Sequence, residues 1–342
     1  MPLTERVVTY QTGDNREYNL INVRSERGPS KPPVILVHGA GVRANIFRAP
    51  VKTSVVVALV EAGYDVWLEN WRASIDFPRN KWSLDEAAVY DHPYAVKKIV
   101  AETGVEKIKA IIHCQGSTSF SMSAVAGLLP QVDTIISNAV SLHTVVPAWS
   151  AMKLNFAVPM VNLFTDYVNP QWGINAPTLL SKMMVSLVNN YHHECNNGVC
   201  KMVSFTYGSG YPALWLHENI SKATHEWIKD EFKNVPLRFF KQMAECVKRG
   251  NLVSVDKLPE LPDDFVIEQP QTEARFILFA GEHNLCFLPE SQQNTFNYLD
   301  MLDPGKHTLY RLSRYSHLDV FMGDDAATDI FPIMVKELDS TL

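Results

Sequence analysis

A regular alternation of short apolar segments with helical segments constrains the fold of this sequence more than any other feature. Apolar runs with the length of buried strands occupy residues 32–41, 64–70, 108–113, 132–142, 274–281 and 307–313. Helical patterns occupy residues 54–64, 83–104, 119–129 and 325–340. Ser83, with Glu86 three residues later, and Gly104 mark the two ends of the second helix. This alternation predicts an α/β fold with a mostly parallel sheet and helices on both faces.

Residues 149–269 break the alternation. They contain many Met and aromatic residues and helical stretches such as residues 224–250, with no clear strand pattern. We therefore predict a helical cap inserted between two parts of one core, residues 1–148 and 270–342. A chain of 342 residues is long enough for one large domain with such an insertion.

The composition narrows the classes of function. The net charge is -6 and no run of Lys or Arg occurs, which argues against a nucleic-acid partner. The N-terminus lacks an apolar signal segment, and no run of about 18 apolar residues predicts a membrane span. The odd count of five cysteines without a signal segment favours reduced thiols and a cytoplasmic location. No dinucleotide, P-loop or zinc-protease motif appears, so no cofactor is expected.

A nucleophile elbow is predicted where the strand of residues 108–113 meets the next helix. The turn would lift Cys114 above the edge of the sheet, and Gly116 would allow the helix to pack closely. Cys114 could instead be an ordinary buried thiol, which is a common fate of cysteine. Ser117 is a rival nucleophile, but it lies outside any G-x-S-x-G motif and should fall one turn into the helix.

At HCQGST the sequence resembles the acid lipase family, whose elbow reads like HSQGGT. YDVWLENWRAS is similar to that family's DVWLGNSRG, SLDEAAVYDHP to its FDEMAKYDLP, and YSHLDVFMGDDA to its NHLDFIWAMDA. The resemblance implies the α/β-hydrolase fold. Two departures stand out: Cys114 replaces the serine, and Ile112 replaces the glycine two positions earlier and crowds the elbow. The cap resembles hydrolase segments fused to flavin-dependent GMC oxidoreductases.

The same resemblance suggests partners for the nucleophile. His317, in YSHLD, matches the family's catalytic histidine, and Asn284, in the loop GEHNLCF, occupies the position of the acid. An amide can orient an imidazole, as in Cys-His-Asn sites. Glu282 is the alternative acid, whereas His283 and Cys286 are expected to pack locally.

The oxyanion hole and the substrate pocket are predicted less directly. By resemblance, the backbone N–H groups of Ala40 and Gln115 would hold the oxyanion. Aromatic residues of the cap suggest the roof of an apolar pocket, the core of the cap itself, or both. These residues are Trp215, Trp227, Phe239 and Phe240.

A cluster of possible metal ligands lies in the cap. His192, His193, Cys195 and Cys200 fall within nine residues of one another, and zinc favours such ligands. Their spacing fits no strong zinc template. The favoured interpretation is a cap loop with partly buried thiols, with zinc binding and a disulfide as alternatives.

The favoured function is hydrolysis of an ester or thioester of an apolar acyl group. His317 would take the Cys114 proton, and an acyl-cysteine would form and then react with water. The substrate is expected to be a small acyl compound, and a coenzyme A or carrier-protein thioester would suit a cysteine. One alternative is an acyltransferase or synthase, because polyhydroxyalkanoate synthases also resemble this chain in carrying an elbow cysteine. The other is a ligand-binding protein without catalysis.

Overall fold

An eight-stranded sheet forms the centre of the protein. The computed structural model describes residues 2–267 and 269–341. The strands lie in the order β1-β2-β4-β3-β5-β6-β9-β10, in which β2 is antiparallel to both β1 and β4 and all other neighbours are parallel. These strands are β1 Leu3–Gln11, β2 Glu17–Ser25, β3 Pro33–Val37, β4 Asp65–Asn70, β5 Ile108–His113, β6 Val132–Asn138, β9 Arg275–Gly281 and β10 Thr308–Leu312. A mostly parallel sheet with helices is thus confirmed.

Helices follow most of the strands. In the two segments of the chain that contribute strands to the sheet, the helices are α1 Val55–Glu61, α2 Leu84–Glu86, α3 His92–Thr103, α4 Cys114–Val125, α11 Glu290–Leu302, α12 Asp319–Met322, α13 Ala326–Asp329 and α14 Phe331–Asp339. A π-helical turn at Ala87–Asp91 joins α2 to α3. Ser83 and Glu86 form the predicted capping box, and Gly104 ends α3 in the left-handed conformation at φ 72°.

The six strands predicted from apolar runs are all present, but the N-terminal pair β1 and β2 was missed. β1 is exposed along almost its whole length, so it shows no apolar run. The helix predicted over residues 325–340 is interrupted at Ile330. The helix predicted at 119–129 starts earlier, at Cys114.

The chain leaves the sheet after β6 and returns at β9 through a mainly helical segment. Its helices are α5 Ala148–Met152, α6 Val158–Val161, α7 Leu179–Tyr191, α8 Gly198–Tyr207, α9 Lys222–Glu231 and α10 Leu237–Arg249. A short antiparallel pair, β7 Tyr167–Val168 and β8 Val235–Pro236, also occurs there and was not predicted. β8 splits the helix expected over residues 224–250, because Pro236 is not helical and instead caps α10.

The two ends of this segment lie next to each other. A backbone bridge pairs His143 with Asn251. The division of the chain at residues 149 and 269 stays a prediction. Among the helices that the structure describes, none is long and apolar enough to cross a membrane.

Candidate active site

Cys114 lies on a sharp turn between β5 and α4. Its φ of 54° falls in the left-handed region, which a residue with a side chain rarely adopts. A Cβ at position 116 would lie 2.2 Å from the carbonyl oxygen of His38, so only glycine fits where α4 passes β3. The Ile112 side chain is fully buried, and the turn forms in its presence. The geometry is that of a nucleophile elbow.

Ser117 faces the protein core and is held there. Its hydroxyl lies 2.7 Å from the Ser137 hydroxyl and donates to the carbonyl oxygen of Val140 over 2.5 Å. The residue is fully buried and does not line the cavity beside Cys114. A substrate carbonyl would reach Cys114 without meeting Ser117.

His317 and Asn284 are in direct contact. Their Nδ1 and Nδ2 atoms are 3.1 Å apart, and both residues are buried. The Asn284 oxygen accepts hydrogen bonds from the backbone N–H groups of Cys286, at 2.9 Å, and Phe287, at 3.1 Å. A flipped amide would point its NH2 group at these two donors, so the network fixes the orientation of Asn284.

The orientation of Asn284 determines which nitrogen of His317 carries the proton. Because Asn284 can only donate through Nδ2, Nδ1 of His317 must accept and the ring proton lies on Nε2. Nε2 is buried without a hydrogen-bond partner among the described residues. One ring nitrogen of His113, one ring nitrogen of His317 and the Cys114 sulfur all lie within 4.8 Å of one another. The Nε2–H group is therefore available to the Cys114 sulfur.

Glu282, the alternative acid, belongs to the protein surface. It forms an ion pair with Arg311 at 2.5 and 2.9 Å. No hydrogen bond joins it to His317 among the described residues. The loop that carries His317 is instead organised by Asp319, whose carboxylate accepts from the N–H groups of Ser316 and Leu216.

The surroundings of the Cys114 thiol change its pKa. Burial raises its pKa, but the Cys286 thiol, His317 and the backbone N–H of Gln115 all lower it, and the pKa ends well below its usual value. The neighbouring Cys114 thiol and burial both raise the pKa of Cys286. Cys286, which the sequence predicts to pack locally, lines the same cavity as Cys114.

The residues predicted for the oxyanion hole flank Cys114. Gln115 is the second residue of α4, where a backbone N–H has no acceptor within the helix. Ala40 lines a narrow space together with Cys114 and His317. The Tyr207 hydroxyl donates to the Ala40 carbonyl oxygen over 3.2 Å and holds that peptide in place.

An apolar cavity opens from Cys114 into the inserted segment. About 880 Å3 of empty space lies between its walls, including open solvent at its mouth. Its walls include Val146, Leu154, Val158, Met184, Phe239 and Phe240. Of the four aromatic residues proposed as a roof, Phe239 and Phe240 line this cavity, whereas Trp215 and Trp227 do not.

Among the described residues that line this cavity, Lys153 alone carries a charge. Its ammonium group donates to the carbonyl oxygens of Phe205 and Gly208, both at 2.5 Å. Burial lowers the pKa of Lys153 to about 8. No sequence pattern indicated a buried lysine here, because a lysine in a helical cap is usually exposed.

Known proteins resemble this chain over most of its length. The family model described as the alpha/beta hydrolase fold matches residues 32–199. Human lipase member K is 33% identical over 341 residues, which cover 90% of this chain and 80% of the human protein. The chain belongs to the α/β-hydrolase family.

The other relatives of this α/β-hydrolase support the same family. Rat gastric triacylglycerol lipase is 37% identical over 106 residues, 28% of this chain and 27% of the rat enzyme. The chain thus matches only about a quarter of that relative's length. A thermostable carboxyl esterase from Bacillus coagulans superimposes with a TM-score of 0.63 over 99% of both chains at 14% identity, which shows the shared fold alone.

Proposed function

We propose that this α/β-hydrolase cleaves esters or thioesters of apolar acyl groups through an acyl-cysteine on Cys114. One observation carries the proposal. An elbow thiol with a lowered pKa stands between the imidazole of His317 and a cavity lined mainly by apolar side chains. A thiolate is the reactive form of cysteine, so this environment favours nucleophilic attack.

The first half-reaction transfers the acyl group to the protein. The Cys114 thiol loses its proton to solvent before the substrate binds. The thiolate then attacks the carbonyl carbon, and the carbonyl electron pair moves onto oxygen. The N–H groups of Ala40 and Gln115 hold this oxyanion. When the electron pair returns, the bond to the leaving group breaks and the acyl group remains on sulfur.

The hydrogen bond from Asn284 to His317 favours thioesters over alkyl esters. The Nε2–H group of His317 stabilises the thiolate. The neutral ring has no second proton to give to a leaving alkoxide. A thiolate leaves without a proton, since thiols ionise near pH 8.5. His317 therefore acts on Cys114 first as a donor, rather than as the proton acceptor expected from the sequence.

The second half-reaction removes the acyl group. For hydrolysis, His317 must take a proton from water at Nε2, so its own proton must first move to Nδ1. That proton would then face the Asn284 NH2 group, and an unmatched buried donor costs about 1–3 kcal/mol. Release by water is therefore slowed by roughly one to two orders of magnitude, and the acyl-enzyme should accumulate.

The hydrogen bond from Asn284 to His317 also favours a second candidate function, that of an acyltransferase. A thiolate acceptor can attack the acyl-cysteine without a general base, whereas water cannot. The orientation of Asn284 would then protect the acyl-enzyme until an acceptor arrives. Non-catalytic ligand binding stays the third possibility. The similarity of the inserted segment to GMC-fused hydrolase segments and the cytoplasmic location stay predictions.

Rapid-mixing kinetics with an octanoyl thioester test the proposal. We expect a burst of free thiol equal to the enzyme concentration, followed by slow octanoate release. In millimolar acceptor thiol, a transferase would form a new octanoyl thioester faster than octanoate. Thiol release no faster than in Cys114→Ala would leave only the ligand-binding interpretation.

A further inference from the structure

Four side chains of the inserted segment converge on one point far along the chain from Cys114. Cys195 follows α7, Cys200 lies in the first turn of α8, His217 begins a short 3-10 turn, and His225 lies near the start of α9. The two cysteine sulfurs and one ring nitrogen from each histidine all lie within 4.8 Å of one another. The Cys200 sulfur is 3.4 Å from Nε2 of His217, and the rings of His217 and His225 are 4.8 Å apart.

This geometry is close to that of a tetrahedral metal site. With Zn–S bonds of about 2.3 Å and Zn–N bonds of about 2.0–2.1 Å, tetrahedral ligand atoms lie roughly 3.3–3.8 Å apart. The four atoms here need only a small contraction to reach those separations. Two thiolates and two imidazoles in a tetrahedron are typical of zinc.

Unpaired polar atoms point independently to a missing partner. Nε2 of His225 is buried without a hydrogen bond among the described residues. Two residues before His217, the indole N–H of Trp215 is also buried without a hydrogen-bond partner among the described residues. N–H groups that donate to coordinating sulfurs commonly surround metal sites.

The backbone around the four residues is already fixed. The Asn197 oxygen accepts from the N–H groups of Val199 and Cys200, both at 3.1 Å, while its NH2 group donates to the His225 carbonyl oxygen at 2.7 Å. Asn197 is buried. One side chain therefore joins the start of the cysteine-bearing helix to the histidine-bearing helix.

We propose that Cys195, Cys200, His217 and His225 bind one zinc ion. On binding, both thiols lose their protons to solvent, and two thiolates balance the charge of the ion. Four protein ligands leave no open position, so the role is structural.

The sequence pointed to only half of this site. His192 and His193, which we had grouped with the two cysteines, lie elsewhere: Nε2 of His193 contacts the Asn190 carbonyl oxygen, and His192 faces Glu194. All five cysteines are free, so the disulfide alternative is not formed in this structure.

The proposed zinc site is connected to the active-site loop. The turn that begins at His217 also contains Asn219, whose NH2 group donates to the Asp319 carboxylate at 2.8 Å. Asp319 in turn organises the loop of His317. Zinc should therefore hold this loop in place as well as the inserted segment.

Metal analysis of the full-length protein tests the proposal. After reduction, incubation with zinc and gel filtration, we expect one zinc per chain. Cobalt in place of zinc should give the visible absorption of a tetrahedral cobalt-thiolate centre. Cys195→Ser and His225→Ala change half-buried positions, so they should fold, and each should weaken zinc binding at least tenfold in a competition with a chromogenic chelator.

Two matched controls complete the design. Cys246→Ser changes a buried thiol outside the cluster. Cys114→Ser removes the thiol of the other group of closely spaced metal-binding side chains, His113, Cys114 and His317. Both should keep wild-type zinc content. Wild-type protein without zinc after reconstitution, zinc lost in Cys114→Ser but kept in Cys195→Ser, or a Cys195–Cys200 disulfide in protein purified without reductant would each overturn the proposal. This test does not depend on the acyl-cysteine mechanism.

Discussion

Asn284 donates a hydrogen bond from Nδ2 to Nδ1 of His317, over 3.1 Å. A carboxylate in that position would accept a hydrogen bond from the Nδ1–H of the histidine, so the direction of the bond is reversed relative to a Ser-His-Asp triad. The reversal is enforced by the two backbone N–H groups that occupy the Asn284 oxygen. This reversal keeps the ring proton of His317 on Nε2, the nitrogen that is free to donate to the Cys114 sulfur.

Replacing Asn284 with Asp should convert the site into a better hydrolase. One carboxylate oxygen can keep the two backbone hydrogen bonds while the other accepts a hydrogen bond from the Nδ1–H of His317, which keeps the ring proton on Nδ1. Nε2 can then take a proton from water, and we expect octanoate release to rise about 10- to 100-fold. Single-turnover decay of the acyl-enzyme measures this step.

Two variants serve as controls for that change. Asn284→Ala should slow acylation about 10- to 100-fold, since the ring loses its orientation. Glu282→Gln should behave like the wild type, because Glu282 pairs with Arg311. Wild-type rates for Asn284→Ala with a collapse for Glu282→Gln would transfer the orienting role to Glu282.

Removing the Cys286 thiol should raise the pKa of Cys114. The Cys286→Ala variant loses one of the contacts that lower this pKa, so less thiolate is present at neutral pH. The rate at which iodoacetamide alkylates Cys114 should be measured against pH. The midpoint of this pH profile should lie at a higher pH than in the wild type. The Cys246→Ser variant should keep the wild-type profile, and an unchanged midpoint in Cys286→Ala would remove Cys286 from the activation of Cys114.

The apolar cavity should favour long acyl chains. Each buried methylene contributes about 0.8 kcal/mol, so octanoyl thioesters should have kcat/KM values at least about tenfold above acetyl thioesters. Val161 lines the cavity, and Val161→Trp should abolish this preference. Val7→Trp, at an exposed position of β1, is the control. Equal kcat/KM values for both chain lengths in the wild type would rule out the cavity as an acyl site.

The sequence predicted those features that rest on local patterns. Buried strands such as β3 and β5 are continuous apolar runs, and the elbow at Cys114 follows directly from the end of β5. β1 was missed because an exposed edge strand carries no such run. The order of strands in the sheet likewise depends on long-range pairing.

Contacts between residues distant in the chain could not be read in the same way. His217 and His225 reach Cys200 only after α8 and α9 pack together, so spacing alone suggested His192 and His193 instead. Cys286 lines the same cavity as Cys114, which lies 172 positions away (286 − 114), and no local pattern reports such proximity. The direction of the Asn284 hydrogen bond depends on two backbone donors that a sequence does not reveal.

Intact-protein mass spectrometry after mixing with an octanoyl thioester tests the acyl-cysteine mechanism most directly. The wild type and Ser117→Ala should each gain one octanoyl group, and peptide mapping should place it on Cys114 rather than on Cys286. Cys114→Ala should gain none. An octanoyl group that persists in Cys114→Ala and disappears in Ser117→Ala would contradict the assignment of Cys114 as the nucleophile.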